Sequence, residues 1–241
     1  MKGIPDPYFN SGRGLTNEGL GSNESLDELD SILAFYAEHG AACRLDIVPW
    51  DTGAELLGAL AERGYVHYGF HASLYVPLHA SSHTSVSGPD RGQVNRIASR
   101  PERISVRPLG SDEFSLFGDI YVAAFGMPDF LREAVAANNR ILCDRPGWHF
   151  YLASYDGQPA AVGVLHVKDG AGSLAAAATL PSFRERGCQS ALIAERLEEA
   201  ARQACGLVVG QARFGSGSHA NMERSGMRTA YTKALWRKCG K

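Results

Sequence analysis

Arg184, Arg186 and Gly187 stand between an alanine-rich apolar run and an amphipathic segment, and that arrangement suits the binding of a diphosphate. The run from Gly170 to Ala178 reads as a short strand, and Pro181, which cannot donate to a sheet ladder, ends it. From Ser190 the positions Ala191, Leu192, Ala194 or Glu195, Leu197, Ala200 and Ala201 recur at helical spacing. The order is therefore strand, tight turn, helix N-terminus. A helix start leaves backbone N–H groups unpaired at the positive end of the macrodipole. Gly187 lets that backbone approach a bulky anion, and the two guanidinium groups add charge. The turn is not a P-loop, because no Gly-Lys-Ser/Thr follows, and it lacks the G-x-G-x-x-G spacing of a dinucleotide site.

Acid and base groups are poorly marked. The strand before the turn, Ala175 to Ala178, carries no carboxylate. A base would have to come from Asp129 or Glu133, or from His149 or His166, acting through water. Cys188 sits beside a helix N-terminus, where a thiol pKa can fall, but no histidine lies within the motif. It reads as loop packing rather than as a nucleophile. His71, His79 and His83 are not at ligand spacing, so no metal site is expected.

The elements that position this turn follow from patterning. Residues 1–24 are rich in Gly, Asn and Pro and read as an irregular lead-in. Ser25-Leu-Asp-Glu28 is a capping box that opens a helix to about His39, with Leu26, Leu29, Ile32, Leu33 and Tyr36 on its apolar side. A strand is expected over 43–48, a helix over 53–63 and a long strand over 65–78. Residues 79–103, rich in Ser, Gly and Arg, read as a linker. Beyond it a strand is expected at 104–108, a helix from Ser111-Asp-Glu113 and a second helix from Pro128 to Cys143. A hairpin follows, 148–155 with 159–168, turning at Asp156-Gly157. After the Ala-rich strand and the helix to Ala204 come a strand at 206–211, a short helix at 216–224 and a last strand at 227–238.

Bulk properties exclude several classes. With 241 residues the chain has room for one large or two small domains, and its 44% hydrophobic content and net charge of -2 are those of an ordinary soluble protein. No apolar run approaches the roughly 18 residues of a membrane helix, and the N-terminus has no signal-peptide core. Five cysteines, an odd number without C-x-x-C spacing, fit a reducing cytoplasm. Residues 181–241 hold 11 Lys/Arg and 5 Asp/Glu, a balance of +6, so the remainder carries -8. A cationic C-terminal quarter suits a phosphate-bearing ligand. Nucleic acid is not expected, because the basic residues are not interleaved with aromatics.

The stretch Arg184-x-x-Gly187-x-Gln189 resembles the acyl-CoA loop of the GNAT superfamily of N-acyltransferases, Arg/Gln-x-x-Gly-x-Gly/Ala after a fourth strand. Gln189 departs from the small residue of that pattern. The element order over 104–238 is similar to the GNAT order, so the resemblance covers the whole C-terminal part. It implies an α/β fold of α+β type, a mixed central sheet flanked by helices. It also implies an acetyl-CoA-dependent N-acetyltransferase, with acetyl-CoA as acyl donor and a small-molecule or peptide amine as acceptor. By position, Ala178, Thr179 and Leu180 would pair with pantetheine. The amides of Arg184, Glu185, Arg186, Gly187, Cys188, Gln189 and Ser190 would hold the pyrophosphate, and Asn221 would contact the coenzyme. The family's tyrosine, four residues before a closing Gly-Phe, is replaced by Met222 ahead of Gly226-Met227. Ser218, Tyr231 and His149 stand as the substitute catalytic candidates. A non-catalytic acyl-CoA-binding or scaffold protein is the alternative. A homodimer is compatible with the resemblance.

A faint internal repeat has an offset of 162 residues: Cys43 falls on Cys205, Leu45 on Leu207, Ile47 on Val209 and Gly64 on Gly226. On that offset the counterpart of the turn is Ser22 to Asp27, which has no arginine and carries Glu24 and Asp27. The expected domains are a degenerate GNAT-like half at 1–78, a linker at 79–103 and a catalytic domain at 104–241. Only one strand follows the last helix, so a strand borrowed from 65–78 is expected to complete the second sheet.

Overall fold

The computed structural model describes residues 11–15, 23–48, 50, 52–78 and 102–239, the side chains of residues 23–25 excepted. The Ser25 side chain and nearly all of the expected linker lie outside the described residues; the first helix begins at Asn23, ahead of the expected start at Ser25. By contacts the chain forms two compact units. One comprises Met1–Ser73, Ala212–Phe214 and Ala230–Lys241, and the other comprises Leu74–Gln211 and Gly215–Thr229.

In the first unit the strand order is β1 (Ser11–Arg13), β2 (Arg44–Ile47), β9 (Arg228–Lys238), β3 (Tyr65–Pro77). Strand β1 falls where only an irregular lead-in was expected, and it pairs parallel with β2 from Ser11↔Arg44 to Arg13↔Asp46. Strand β9 runs antiparallel to β2. Pleat alternation sends Leu45 and Ile47 to one face, where they join Leu29 of α1 (Asn23–Glu38) and Leu56, Ala59 and Leu60 of α2 (Ala54–Glu62) in a buried core. The opposite face carries charge. Asp46, 2% exposed, meets Arg44 at 2.8 Å, Arg13 at 3.3 Å and Lys233 at 3.6 Å. Burial there pushes the His71 imidazole and the Lys233 amine below their ordinary pKa values.

The second unit is a mixed sheet in the order β3, β8 (Leu207–Arg213), β7 (Ala171–Thr179), β6 (Gln158–Lys168), β5 (Trp148–Tyr155), β4 (Ile104–Pro108). The end of β3 lies beside β8, with the Leu78 amide donating to Gly206 O at 2.9 Å, so the borrowed strand is present. Asp156 and Gly157 both take positive φ, 48° and 77°, which makes the type I′ hairpin that the Asp-Gly pair signals. Asp169 and Gly170, at 51° and 73°, turn β6 into β7 in the same way.

Helices cover both faces. Phe150 meets Phe114 and Phe117 of α3 (Phe114–Phe125), whereas its neighbour Tyr151 interacts with Glu195 and Glu199 of α5 (Cys188–Arg202). Adjacent strand residues point to opposite faces, so α3 and α5 lie on opposite sides of the sheet. One boundary agrees with expectation and one differs. Glu113 is the N-cap of α3, its carbonyl accepting from the Phe117 N–H at 3.0 Å, while its carboxylate turns back onto the Gly110 N–H and the Arg107 guanidinium. The expected helix from Pro128 breaks into a single 3₁₀ turn, Asp129–Leu131, ahead of α4 (Arg132–Cys143).

The faint repeat has a structural counterpart. Strands β1 and β2 are parallel and joined through α1, as β7 and β8 are parallel and joined through α5.

Candidate functional site

The site begins with a fault in the sheet. Strand β7 pairs with β6 as Leu174↔Leu165 and then as Ala176↔Val164, so Ala175 is one residue too many. Such a bulge bends the strand that carries it. The parallel ladder to β8 runs only from Ala171↔Leu207 to Leu174↔Gly210, and β7 continues to Thr179 beyond it. The Leu180 N–H is spent on Ala160 O at 2.9 Å, which turns Leu180 and, by alternation, Ala178 toward β6. The N–H and C=O groups of Ala177 and Thr179 therefore face the other edge, beyond the end of the β8 ladder. Of the three strand positions read from the sequence, Thr179 is the one whose backbone faces that edge.

A single 3₁₀ turn, Pro181–Phe183, leads to Arg184. Glu185 and Gly187 both have positive φ, 61° and 87°. Gly187 (φ 87°, ψ -4°) is the N-cap of α5, and no side chain among the described residues caps that helix. A left-handed residue followed by a helical one gathers successive N–H groups into a nest, here those of Cys188, Gln189 and Ser190. The neighbouring helix α6 (Gly217–Arg224) differs, because Ser216 Oγ accepts from the His219 N–H at its start.

The two arginines of the loop are held differently. Arg184 donates from Nη2 to the Ala124 carbonyl, at 2.6 Å, near the C-terminus of α3. Arg186 lies over the rings of Tyr155, at 5.1 Å, and Phe183, at 5.8 Å. Arg103 covers Tyr155 at 4.6 Å and pairs with Asp156. Arg103 and Tyr155 were not singled out from the sequence; one fell in the expected linker and the other in a hairpin strand. Gly187 is close-packed as well as left-handed, since a Cβ there would come within 3.2 Å of Ile104 Cδ1.

Gln189 has a definite role. Its Nε2 donates to Ser218 Oγ at 2.7 Å, and its Oε1 accepts from Asn221 Nδ2 at 2.6 Å. Three sequence candidates are thus brought together in one network joining the first turn of α5 to α6, which Arg224 extends by donating to Asn221. Ser218 adjoins the loop, but its Oγ accepts a hydrogen bond from the Gln189 side-chain amide, so its hydroxyl is oriented by Gln189. Cys188 is 1% exposed, and burial raises its thiol pKa, as suits packing rather than nucleophilic attack.

The other candidates lie elsewhere. His149 stands 3.9 Å from Glu199, which is 11 residues after Cys188 and so roughly 16 Å further along α5. His166 stacks on Trp148 at 4.3 Å. Asp129 is engaged by Arg132, and Glu133 is exposed on α4. Tyr231 belongs to the first unit, where its ring meets Trp50 edge-on at 4.3 Å.

The inner face of α5 also needs a correction. Its buried residues are Cys188, Ala191, Leu192, Ile193, Arg196 and Ala200, so Arg196 takes the inner place that the pattern gave to Leu197. Its signal was visible: Arg196 falls four residues from both Leu192 and Ala200, on the apolar stripe.

No family model matches the chain, and no curated protein sequence matches it. Its architecture is nevertheless similar to solved structures. A GCN5-related N-acetyltransferase from Sphaerobacter thermophilus aligns over 98% of this chain and 74% of its own, with a TM-score of 0.68 at 17% identity. A tandem GNAT protein from the clavulanic acid biosynthesis pathway aligns over 92% and 73%, at 0.62 and 13% identity. A GCN5-related N-acetyltransferase from Kribbella flavida aligns over 90% and 76%, at 0.58 and 16% identity. The chain has the fold of the GCN5-related N-acetyltransferases.

Proposed function

We propose that this protein transfers an acetyl group from acetyl-CoA to a primary amine of a small molecule or peptide. The observation that carries this reading is the uncapped first turn of α5 behind a left-handed Gly187, placed where β7 bends beyond its ladder with β8. The residues present fit a nucleotide thioester. The Cys188, Gln189 and Ser190 amides meet its diphosphate, with Arg186 braced on Tyr155 and Phe183 beside them. The edge groups of Ala177 and Thr179 meet its pantetheine arm, and Asn221 and Ser218 flank it from α6. The acyl donor supplies an activated thioester carbonyl. The chain aligns that carbonyl with the incoming amine, and a strand N–H polarises it. The amine attacks directly, without a covalent enzyme intermediate: the C–N bond forms as the C–S bond breaks, the amine's proton leaves through water, and coenzyme A departs as a thiolate that takes a proton from water. The N-terminal half, which has no arginine between Ser22 and Asp27, serves packing rather than coenzyme binding.

The test is free-thiol release from acetyl-CoA over a panel of small amines and N-terminal peptides, run beside calorimetric titration with coenzyme A. Turnover with one acceptor class is the expected result. Heat of binding with no turnover across the panel favours a scaffold. No heat at millimolar coenzyme A overturns the reading.

A further inference from the structure

Arg196 is 1% exposed, and every hydrogen-bond partner that it has among the described residues is a backbone carbonyl. Its Nε donates to Leu192 O at 2.8 Å, and its Nη1 donates to Val164 O at 3.2 Å and to Ala176 O at 3.1 Å. Nη2 has no hydrogen-bond partner among the described residues. Val164 and Ala176 are the pair on one side of the bulge at Ala175. Room for the guanidinium comes from Gly163, where a Cβ would lie 3.2 Å from both Arg196 Cζ and Nε. Burying a cation without a carboxylate is costly, and here burial lowers the guanidinium pKa to about 10. A merely structural filler for two carbonyls would not need that charge.

The charge acts on a particular peptide. Ala176 C=O and Ala177 N–H belong to the same amide, and the two groups point to opposite edges of β7. A cation on the carbonyl withdraws electron density across the amide and strengthens its N–H as a donor. We propose that Arg196 is a positioning residue: it fixes the bulge and polarises the Ala176–Ala177 peptide, so that the Ala177 N–H draws on the acyl donor's thioester oxygen. This rests on the acetyl-CoA reading above. The guanidinium is held before the reaction begins, so its field costs no reorganisation as charge develops on that oxygen.

The measurement is isotope-edited infrared spectroscopy of acetyl-CoA carrying a 13C-labelled acetyl carbonyl, bound to wild type, Arg196→Lys and Arg196→Met. Coenzyme A titrations and melting curves accompany it. Lysine keeps a charge but loses the fork that reaches two carbonyls. The expected result is a carbonyl band at lower wavenumber on wild-type protein than in water, returning toward the free position in the order Lys, then Met, while affinity for coenzyme A without an acetyl group is kept. If the substitutions prevent folding, Gly163→Ala displaces the guanidinium without removing it and is expected to move the band the same way. A band unchanged between wild type and folded variants overturns the proposal alone, as does coenzyme A affinity falling in step with melting temperature. Wild-type protein that takes up no coenzyme A overturns both this proposal and the function on which it rests.

Discussion

Gly187→Ala separates backbone direction from packing, because the structure contains its own control. Gly187 and Gly226 have the same φ, 87°, but a Cβ at Gly187 meets Ile104 Cδ1 at 3.2 Å, whereas one at Gly226 meets nothing within 4 Å. Holding an alanine in the left-handed region costs about 1–2 kcal/mol. For a chain of this size that lowers the melting temperature by roughly 2–8 °C at either position. The added Ile104 contact involves the tip of a flexible side chain, so the two variants should melt at similar temperatures. Binding should divide them. Relaxation at Gly187 turns the Cys188 and Gln189 amides away from a phosphate, and a hydrogen bond to a charged group is worth about 1.5–3 kcal/mol. Gly187→Ala should therefore weaken coenzyme A binding by roughly 10- to 150-fold in calorimetry, and Gly226→Ala should leave it unchanged. A folded Gly187→Ala protein that binds as tightly as wild type refutes the placement of the diphosphate on these amides.

Other perturbations test the surroundings of the loop. Arg186→Ala should reduce coenzyme A affinity more than Arg184→Ala, since Arg184 is anchored on the Ala124 carbonyl; calorimetry showing the reverse order contradicts that assignment. Iodoacetamide at neutral pH should label exposed Cys239 well before Cys188, and mass mapping that finds Cys188 first would mean that its thiol is not buried. Glu113 is held down to about 2 by the Arg107 guanidinium and the Gly110 N–H. Because the folded value is depressed, its contribution is complete above its ordinary pKa near 4.5 and is lost as pH falls toward 2. Glu113→Gln should lower stability by about 1 kcal/mol at neutral pH and flatten that acid limb in denaturant titrations. A 104–241 fragment should aggregate, because it lacks β3 and so leaves β8 with an open edge; a soluble fragment that binds coenzyme A would establish the expected domain division instead.

Local chemistry was legible in the sequence wherever a short stretch determines its own geometry. Asp156-Gly157 specifies a hairpin turn because few residue pairs tolerate two positive φ values in a row, and Gly187 signals a close approach of backbone to an anion. The left-handed N-cap geometry of Gly187 is supplied by the structure. Periodicity located the helices and strands of the second unit to within a few residues, and with them the strand–turn–helix that carries the loop. Strand β1 was not legible, because three residues are too short to establish a period. Ala175 offers no hint that it is the extra residue of a bulge, since register is decided by the partner strand, and Ala175 is the first of four consecutive alanines in β7. Gln189, Ser218 and Asn221 are separate polar residues in the sequence, and only the packing of α6 beside α5 joins them. Arg196 was visible as a charge on an apolar stripe, but its partners are carbonyls, which every residue carries. The sequence therefore determined the loop and its charge. The tertiary structure alone decided which backbone groups face the open edge, because backbone hydrogen bonding has no residue code and is assigned only when strands meet.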